Sequence, residues 1–330
     1  MRDSWAYQFF RLLSNPRATK NDIRHAFDIK SKNLPGTLYR YRSSEDFCID
    51  ELGNDSIFLN MPIRQNDPLD TICTVNRQEL RRALERRRFS DMAGVPTIGE
   101  QLVKEHVLLR CLQGIADHHH DNPQSIFDTL IDNAPPEEQD KFSQIRQTFN
   151  RIGDGIAEDE IAFLRSMLQE RVLIACFTTD HQSAPMWNHY AQSHRGLCIA
   201  YDIASFSEDD LRCRDLFPSI YRNTLFDLTI HLIANMDSEM SVGWPVLVCI
   251  HKKAEWSYEK EWRIISLPKS ESEVLIPALY PFAKPAAVYL GMQMASEKEQ
   301  RAVEIARRRG IAIYKMEVSH QEGRLVAVPQ

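Results

Sequence analysis

Hydrophobic and polar positions alternate with two different periods along the chain, and the change of period divides it into segments. Residues 1–33 carry apolar positions at helical spacing, which predicts an N-terminal helical segment. The stretches TLYRYR (37–42) and SIFLNMP (56–62) are rich in aromatic and β-branched residues and predict two short strands. Residues 43–52 between them begin with two serines that suit a helix N-terminus, so we predict a short helix there.

The helical period dominates from residue 74 to residue 170, where β-branched residues are few and proline-containing breaks recur. This pattern predicts four or five helices, which we interpret as an insertion. Strand character then returns in six stretches: RVLIACF (171–177), GLCIAYD (196–202), VLVCIHK (246–252), EWRIISL (261–267), AAVYLG (286–291) and IAIYKMEV (311–318).

The last two of these strands flank SEKEQRAVEIARRRG, which predicts a helix with a capping box at Ser296 and Glu299 and a stop at Gly310. A strand–helix–strand unit follows. We therefore predict an α+β fold with a split or strongly bent mixed β-sheet, built from residues 34–73 and 171–330 and interrupted by the helical insertion at 74–170.

Composition narrows the class of protein. With 330 residues, 43% hydrophobic and 26% charged, the chain has the composition of a globular protein. Its net charge of -6 argues against a protein that coats nucleic acid indiscriminately. The N-terminus lacks the pattern of a signal peptide, no run of about 18 apolar residues spans a bilayer, and the seven cysteines occur singly without a CxxC pair. These features predict a cytoplasmic protein without a membrane segment.

Positive charge is concentrated in one short stretch of the predicted insertion. Two glutamates, Glu79 and Glu85, accompany six arginines: Arg77, Arg81, Arg82, Arg86, Arg87 and Arg88. A solvated helix face explains this cluster without function. The alternative is a surface that contacts phosphate groups or an acidic partner.

The stretch EWSYEKEWRII (255–265) concentrates groups capable of chemistry. As a strand from Tyr258, it would place Glu259, Glu261 and Arg263 on one face. A solvent-exposed edge strand would show the same pattern. However, Trp262 and the other aromatic residues indicate a packed region, where several charged side chains on one face need oppositely charged or hydrogen-bonding partners. Two carboxylates so placed suit a reaction in which one holds a substrate hydroxyl and the other orients a nucleophile.

Three further stretches supply candidate ligand-binding residues. In LYRYR, strand alternation separates Arg40 and Arg42 from Tyr39, and a guanidinium matches two phosphate oxygens; Arg40 is the first choice and Arg42 the alternative. The candidates elsewhere are Asn60 at the end of the second strand, Asn66 and Asp67 in an NDP turn, and Trp187 and Tyr190 on a helix that Gly196 stops. Ordinary turn chemistry explains the NDP sequence equally well.

Several common sites are excluded by their missing motifs. The chain has no GxxxxGK[ST], GxGxxG after a strand, GxSxG or zinc-finger spacing, which removes P-loop, Rossmann and α/β-hydrolase enzymes. His189 and His194 are five residues apart and no HExxH occurs, so we predict no metal site there. The tract His118-His119-His120 is interpreted as a helix end.

The ordered set LYRYR, SIFLNMPIRQNDPLD, ACFTTD, MWNHYAQSHRGLCIAYD, WSYEKEWRII and VYLG resembles a widespread bacterial family of unknown function, from about Leu38 to Met316. Members of that family are cytoplasmic, and some are encoded near phage-defence genes. The insertion at 74–170 is less typical of the family. This resemblance implies a defence role and a partner protein, but no established chemistry.

A second resemblance, to the ADP-ribosyltransferase superfamily, comes from an arginine strand, a second strand and a distant glutamate strand in that order. It implies an ADP-ribosyltransferase-like fold, NAD as substrate and no metal. Glu261 would grip the nicotinamide ribose, Glu259 would address the acceptor, and Arg40 would hold the phosphates. Where the superfamily has Ser-Thr-Ser on its second strand this chain has SIFLN, so Ser56 or Asn60 would substitute. Trp187 or Tyr190 would stack on a ring.

The expected function is therefore transfer of ADP-ribose from NAD to a nucleic acid or protein, in a toxin or phage-defence effector. Two alternatives from other classes remain. One is a sensor that holds a nucleotide or phage-derived ligand in the same cleft without consuming it. The other is a metal-dependent nuclease that uses Mg²⁺ at four carboxylates: Asp67, Asp70, Glu259 and Glu261.

Overall fold

The computed structural model describes residues 4–80, 82–83, 131–132, 134–207, 210–235, 243–268, 273 and 275–330. The chain forms two compact units. The first comprises Met1–Cys73, Ser166–Phe226 and Ser241–Gln330, and the second comprises Thr74–Arg165 and Asp227–Met240. All the elements that form the site described below belong to the first unit.

Helices and strands are interspersed along the described chain. The helices are α1 (Trp5–Leu13), α2 (Lys20–Ser31), α3 (Asp46–Asp50), α4 (Pro136–Glu170), α5 (Ala184–Tyr190), α6 (Leu211–Asp215), α7 (Thr229–Asn235), α8 (Trp244–Ile250) and α9 (Ser296–Arg309). The strands are β1 (Thr37–Arg42), β2 (Ser56–Leu59), β3 (Cys73–Thr74), β4 (Leu173–Thr178), β5 (Leu197–Asp202), β6 (Leu216–Pro218), β7 (Ile220–Arg222), β8 (Phe226–Asp227), β9 (His251–Lys253), β10 (Glu261–Ser266), β11 (Ala278–Pro281), β12 (Ala287–Leu290), β13 (Ala312–Ser319) and β14 (Arg324–Pro329). Short 3-10 turns cover Glu51–Gly53, Pro62–Arg64 and Ala254–Glu259.

The first unit is organised around an eight-stranded sheet with the order β14-β13-β12-β5-β1-β4-β10-β6. The pair β12 and β13 is parallel and joined by α9, and the other neighbours in the sheet are antiparallel. The predicted α+β class with a mixed sheet is therefore confirmed, and so is the strand–helix–strand unit near the C-terminus. Residues of α9 pack on one face of the sheet, with Ala302 and Ala306 fully buried against Val288.

The middle of this sheet is split. Strand β1 pairs with β5 over six residues, and β4 pairs with β10 over six, but β1 and β4 meet only where Tyr39 stands opposite Thr178. At the other end of β4, Ile174 forms a bridge with Asn60, which follows β2. The two halves of the sheet therefore separate along the line between β1 and β4.

Several sequence predictions in this unit are wrong. The run VLVCIHK was predicted as a strand, whereas Trp244–Ile250 is a helix and only the residues after it are extended. Five of its residues are buried, and a fully apolar run has no periodicity that distinguishes a buried helix from a buried strand. The capping box also fails, because Ser296 is the first helical residue and Glu299 pairs with Lys315. Gly310 does end the helix in the left-handed conformation, as predicted.

The predicted helical insertion coincides in large part with the second unit. Its described part includes the helix α4, and residues 227–240 contribute to the same unit. The predicted helices between residues 84 and 130, including the tract His118-His119-His120, lie outside the described residues.

Candidate active site

A pocket of about 360 Å³ opens where β1 and β4 separate. Its walls are the residues 39–42 of β1, the residues 174–178 of β4, parts of the segment 58–66, Tyr190 of α5 and Phe47 of α3, with Lys252, Glu259 and Glu261 at one end. Strand alternation places Tyr39 and Tyr41 on one face of β1 and Arg40 and Arg42 on the other. Because the pocket lies in the gap, it is lined by both pairs.

One end of the pocket carries excess positive charge. Arg40 Nη1 lies 3.2 Å from Glu51 Oε1, its Nη2 donates to the Phe58 carbonyl at 2.8 Å, and Arg42 Nε lies 2.9 Å from Glu51 Oε2. The Tyr201 hydroxyl donates to the same carboxylate at 3.1 Å. Two guanidinium groups thus share one carboxylate, so this end of the pocket suits an anionic ligand.

The other end is a buried network of three carboxylates and two cations. Lys252 Nζ contacts Glu259 and lies 2.8 Å from Glu261 Oε2. Behind it, Arg263 binds Asp70 through two bonds of 2.7 and 2.6 Å and Glu261 through two bonds of 3.0 Å. All five residues are buried. Three negative charges against two positive ones leave this end with one negative charge in excess.

The two glutamates in this network titrate in opposite directions. Burial acts to raise the pKa of Glu261, but Arg263 and Lys252 outweigh it and hold the pKa well below the ordinary range. Burial and the neighbouring Glu261 raise the pKa of Glu259, against the opposing effect of Lys252 and of its hydrogen bond from Tyr190. Glu261 therefore stays an anion, whereas the raised pKa of Glu259 makes it the readier of the two carboxylates to accept a proton.

The backbone that presents the glutamates differs from the prediction. The sequence predicts a strand from Tyr258, but a 3-10 turn over Ala254–Glu259 precedes the strand, and Lys260 between them has a φ of 46°. The left-handed residue reverses the chain direction locally, and Thr178 Oγ1 secures it by donating to the Glu259 carbonyl at 2.6 Å. Glu261 and Arg263 do share one face of β10 as predicted, and Glu259 reaches the same site from the turn.

Tyr190 connects the helix α5 to the carboxylate network. Its hydroxyl donates to Glu259 Oε1 at 2.5 Å and accepts from Asn66 Nδ2 at 3.3 Å. The chain after Tyr190 is unusual, because Gln192, Ser193 and His194 all have positive φ angles. Such residues are strained, and strain of this kind concentrates at functional sites.

The chain then passes close to β1. At Gly196, a Cβ atom would stand 2.1 Å from the Arg42 carbonyl oxygen, so only glycine permits this approach. The prediction that Gly196 stops the helix is wrong, because the helix ends at Tyr190 with its C-cap at Ala191; the glycine instead lets the Tyr190 segment pack directly against the arginine strand.

Most of the residues proposed from the sequence lie in the pocket wall: Tyr39, Arg40, Arg42, Asn60, Asn66, Tyr190, Glu259 and Glu261. Five lie elsewhere, among them Asp70 in the buried network and Ser56 on β2 opposite Pro281. Arg263 is fully buried behind Glu261, and Trp187 is fully buried, packed edge-on against Tyr41. Asp67 Oδ1 accepts from the Leu69 backbone amide, which is ordinary turn chemistry.

Several residues of the site were missed. Lys252 lies in a run read as a strand of the core, and Glu51 is one acid among several in a short helix. Phe47, Phe58 and Cys176 also line the pocket. An isolated lysine or glutamate carries no spacing signal, so only the three-dimensional fold identifies these residues.

The arginine cluster is described only in part. Arg77 pairs with Glu158 at 2.7 Å, with both side chains exposed. Arg82 is also exposed, and Arg81, Arg86, Arg87 and Arg88 lie outside the described residues. An exposed pair of this kind is compatible with the solvated helix face and leaves the alternative of a partner surface open.

Metal binding receives no support from the arrangement of the carboxylates. Lys252 Nζ lies among the carboxylates of Asp70, Glu259 and Glu261, at the position that a divalent cation would need. Within the described residues, no group of three or more side chains suited to a metal ion was found. In the same residues, no helix has the length and apolar character needed to cross a membrane.

Comparison with known proteins adds a family for part of the chain. No curated protein and no solved structure matches it. The model of a family described as "Protein of unknown function (DUF2971)" matches residues 186–264. This segment contains Tyr190, Lys252 and the two glutamates, which together form the acidic end of the pocket. Residues 186–264 are therefore similar to a domain family of unknown function.

Proposed function

We propose that the pocket binds NAD and that the protein transfers ADP-ribose from it to an acceptor. The observation that supports this proposal is the polarity of the pocket, with Arg40 and Arg42 at one end and Glu259 and Glu261 at the other. Strand β1 sets the distance between them. Tyr39 stands opposite Thr178, which also pairs with Glu261, and Arg42 follows three residues later, about 10 Å along the strand.

This spacing suits the layout of a dinucleotide. The diphosphate would lie against the two guanidinium groups, whose forked donors match phosphate oxygens. The nicotinamide ribose would lie at the carboxylates, which bind its hydroxyl groups. A pocket of about 360 Å³ is within the usual size of small-molecule sites.

The proposed reaction breaks the bond between C1′ of the ribose and the ring nitrogen of nicotinamide. The electron pair of this bond leaves with nicotinamide, which becomes neutral, and the ribosyl carbon acquires positive charge. A hydroxyl group of the acceptor then forms a bond to C1′ and gives up its proton. The products are nicotinamide, the ADP-ribosylated acceptor and a proton.

The opposite titration of the two glutamates supports the division of roles between them. Glu261 stays negative and fixed by Arg263, which suits electrostatic stabilisation of the cationic transition state. Glu259, with its raised pKa, suits the group that accepts the proton of the nucleophile. In many enzymes the surroundings raise the pKa of one active-site carboxyl group and lower that of the other, and this difference indicates which role each group has.

We also propose that the split sheet is a divergent form of the ADP-ribosyltransferase fold. The acceptor would be a nucleic acid or a protein, and the arginine-rich stretch at 77–88 would help to recruit it. Five described cysteines are free thiols, which supports a cytoplasmic location: Cys48, Cys176, Cys198, Cys213 and Cys249. A toxin or phage-defence effector, acting with a partner protein, fits this chemistry.

A sensor without turnover is the second candidate, and one observation favours it. Lys252 and Arg263 already engage both oxygens of Glu261. A carboxylate held in this way is suited to fixing the shape of a ligand site even if no bond is broken. In that case ligand binding would raise the melting temperature, and the ligand would be recovered unchanged.

Incubation of the purified protein with NAD and bacterial lysate tests the proposal, with free nicotinamide followed by chromatography. We expect nicotinamide release that persists in EDTA and is lost in the Glu261→Gln variant. Stoichiometric recovery of NAD would contradict the transferase and favour the sensor. Activity that EDTA abolishes would instead support a metal-dependent enzyme.

Tyr190 gives a prediction about pH. Its hydroxyl donates to Glu259 and thereby stabilises the ionised carboxylate, so Tyr190→Phe should raise the pKa of Glu259 further. Because Glu259 must be ionised to accept a proton, we expect the acidic limb of the kcat profile to move to higher pH in this variant. Tyr280→Phe is the matched control, since Tyr280 donates to Asp215 outside the pocket wall, and its profile should coincide with wild type. Identical profiles for all three proteins would contradict the role of Glu259 as base.

A further inference from the structure

Phe47 is an exposed aromatic residue in the wall of a pocket that polar and apolar residues line together. It lies on α3, and its side chain is 66% exposed. An exposed apolar residue is ordinary when it stands alone on a surface. Here, however, the ring borders the end of the pocket that carries Arg42.

The helix that carries Phe47 is held in place from behind. Arg301 binds Asp46 and Asp50 at 2.7 Å each, and Lys298 binds Asp46 at 2.7 Å. These bonds tie α3 to α9. They also pair Asp46 and Asp50 with cations, which reduces the repulsion of an anionic ligand by these two carboxylates. The ring is therefore presented on a supported helix.

The position of Arg42 indicates what the ring would bind. The Arg42 guanidinium carbon lies 5.8 Å from the centre of the Phe47 ring, and Arg42 shares Glu51 with Arg40. A flat apolar surface beside paired guanidinium groups matches a nucleotide, in which a base and a phosphate are separated by one sugar. Stacking of a base on an aromatic side chain is favourable for every base, because each presents a π-face.

Along β1, the carboxylate end of the pocket at Tyr39 is followed by the two arginines. Phe47 of α3 lies beyond them, next to Arg42. We propose that Phe47 is the stacking platform for the adenine ring, so that the pocket selects an adenine nucleotide over nicotinamide mononucleotide. This inference rests on the proposed function for the identity of the second half of the ligand. The adenine subsite itself depends only on the Phe47 and Arg42 geometry.

Calorimetry with two probes separates the subsite from the chemistry. ADP carries adenine and phosphates but no nicotinamide, and nicotinamide mononucleotide carries no adenine. We expect Phe47→Ala to weaken ADP binding about tenfold and to leave nicotinamide mononucleotide binding unchanged. Phe47→Trp keeps an aromatic surface and should bind ADP at least as tightly as wild type. Phe163→Ala, which removes another exposed phenylalanine outside the pocket wall, is the control and should bind as wild type does.

Three outcomes would overturn the inference: no ADP binding by the wild-type protein, equal weakening of both probes by Phe47→Ala, or unchanged ADP binding in that variant. Loss of ADP binding in Phe47→Ala, together with intact NAD after incubation with wild type, would support the adenine subsite while rejecting the transferase. The two proposals therefore fail separately.

Discussion

Replacement of Glu261 with Gln is expected to reduce nicotinamide release by about a thousandfold, the scale seen when one preorganised electrostatic contact to a transition state is removed. The reason is the permanent negative charge of Glu261, which Arg263 and Lys252 maintain by lowering its pKa. A neutral amide of the same shape keeps one oxygen acceptor for Arg263 or Lys252, turns the other acceptor into a donor, and offers no charge to the developing ribosyl cation. Steady-state release of nicotinamide measures the loss.

The buried network makes a control necessary. Glu261→Gln also removes a charged partner from Arg263, so some loss of stability accompanies the loss of activity. Asp70→Asn is the matched variant, since Asp70 binds the same guanidinium but is not part of the pocket wall. We expect Asp70→Asn to lose stability and keep most of its activity per folded molecule. Equal activity in both variants would mean that the charge of Glu261 has no catalytic role.

The largest effect on stability is expected for Arg263→Met. Arg263 is fully buried and binds two carboxylates, so its removal leaves Asp70 and Glu261 buried with only Lys252 nearby. Breaking a buried ion pair from one side costs about 3–5 kcal/mol in the free energy of unfolding. Urea unfolding at neutral pH, followed by circular dichroism, measures the shift in midpoint.

The pH dependence gives this prediction a second readout. Arg263 depresses the pKa of Glu261 in the folded state, so the stabilisation is present above the unfolded pKa of the carboxyl and is lost as pH falls through the folded pKa. The difference between wild type and Arg263→Met should therefore shrink in acid. Arg324→Met, which removes a pair between exposed side chains, should cost less than about 1 kcal/mol. If Arg263→Met also lowered the free energy of unfolding by less than about 1 kcal/mol, stabilisation by the buried network would be contradicted.

Strand alternation predicted the positions of Arg40 and Glu261, whereas Glu259 lies in the same pocket wall although it belongs to a 3-10 turn and not to the predicted strand. Arg40 and Glu261 each belong to a segment with a clear local pattern, and the antiparallel pairing of the strands brings these segments together. Lys252 was beyond reach because the apolar run before it fits a buried helix and a buried strand equally. Phe47 was missed because a phenylalanine on a short helix is expected to face the core. Only the gap between β1 and β4 leaves it in the pocket wall.

The part of the chain that matches a known family holds one half of this site. Residues 186–264 include Tyr190, Lys252, Glu259 and Glu261, whereas Arg40, Arg42 and Phe47 precede the matched segment. The acidic end and the cationic end of the pocket therefore come from different stretches of the chain. The family match therefore covers neither Asp70 nor the two arginines at the cationic end of the pocket.

The split sheet also links ligand binding to rigidity. One residue pair joins β1 to β4, whereas six pairs join β1 to β5 and six join β4 to β10. Backbone pairing between the two halves of the sheet is therefore sparse along this line. A ligand in the gap would contact arginines from one half of the sheet and glutamates from the other. It would therefore link the two halves. Amide hydrogen exchange in both strands should slow together when the pocket is filled, even at residues that do not touch the ligand.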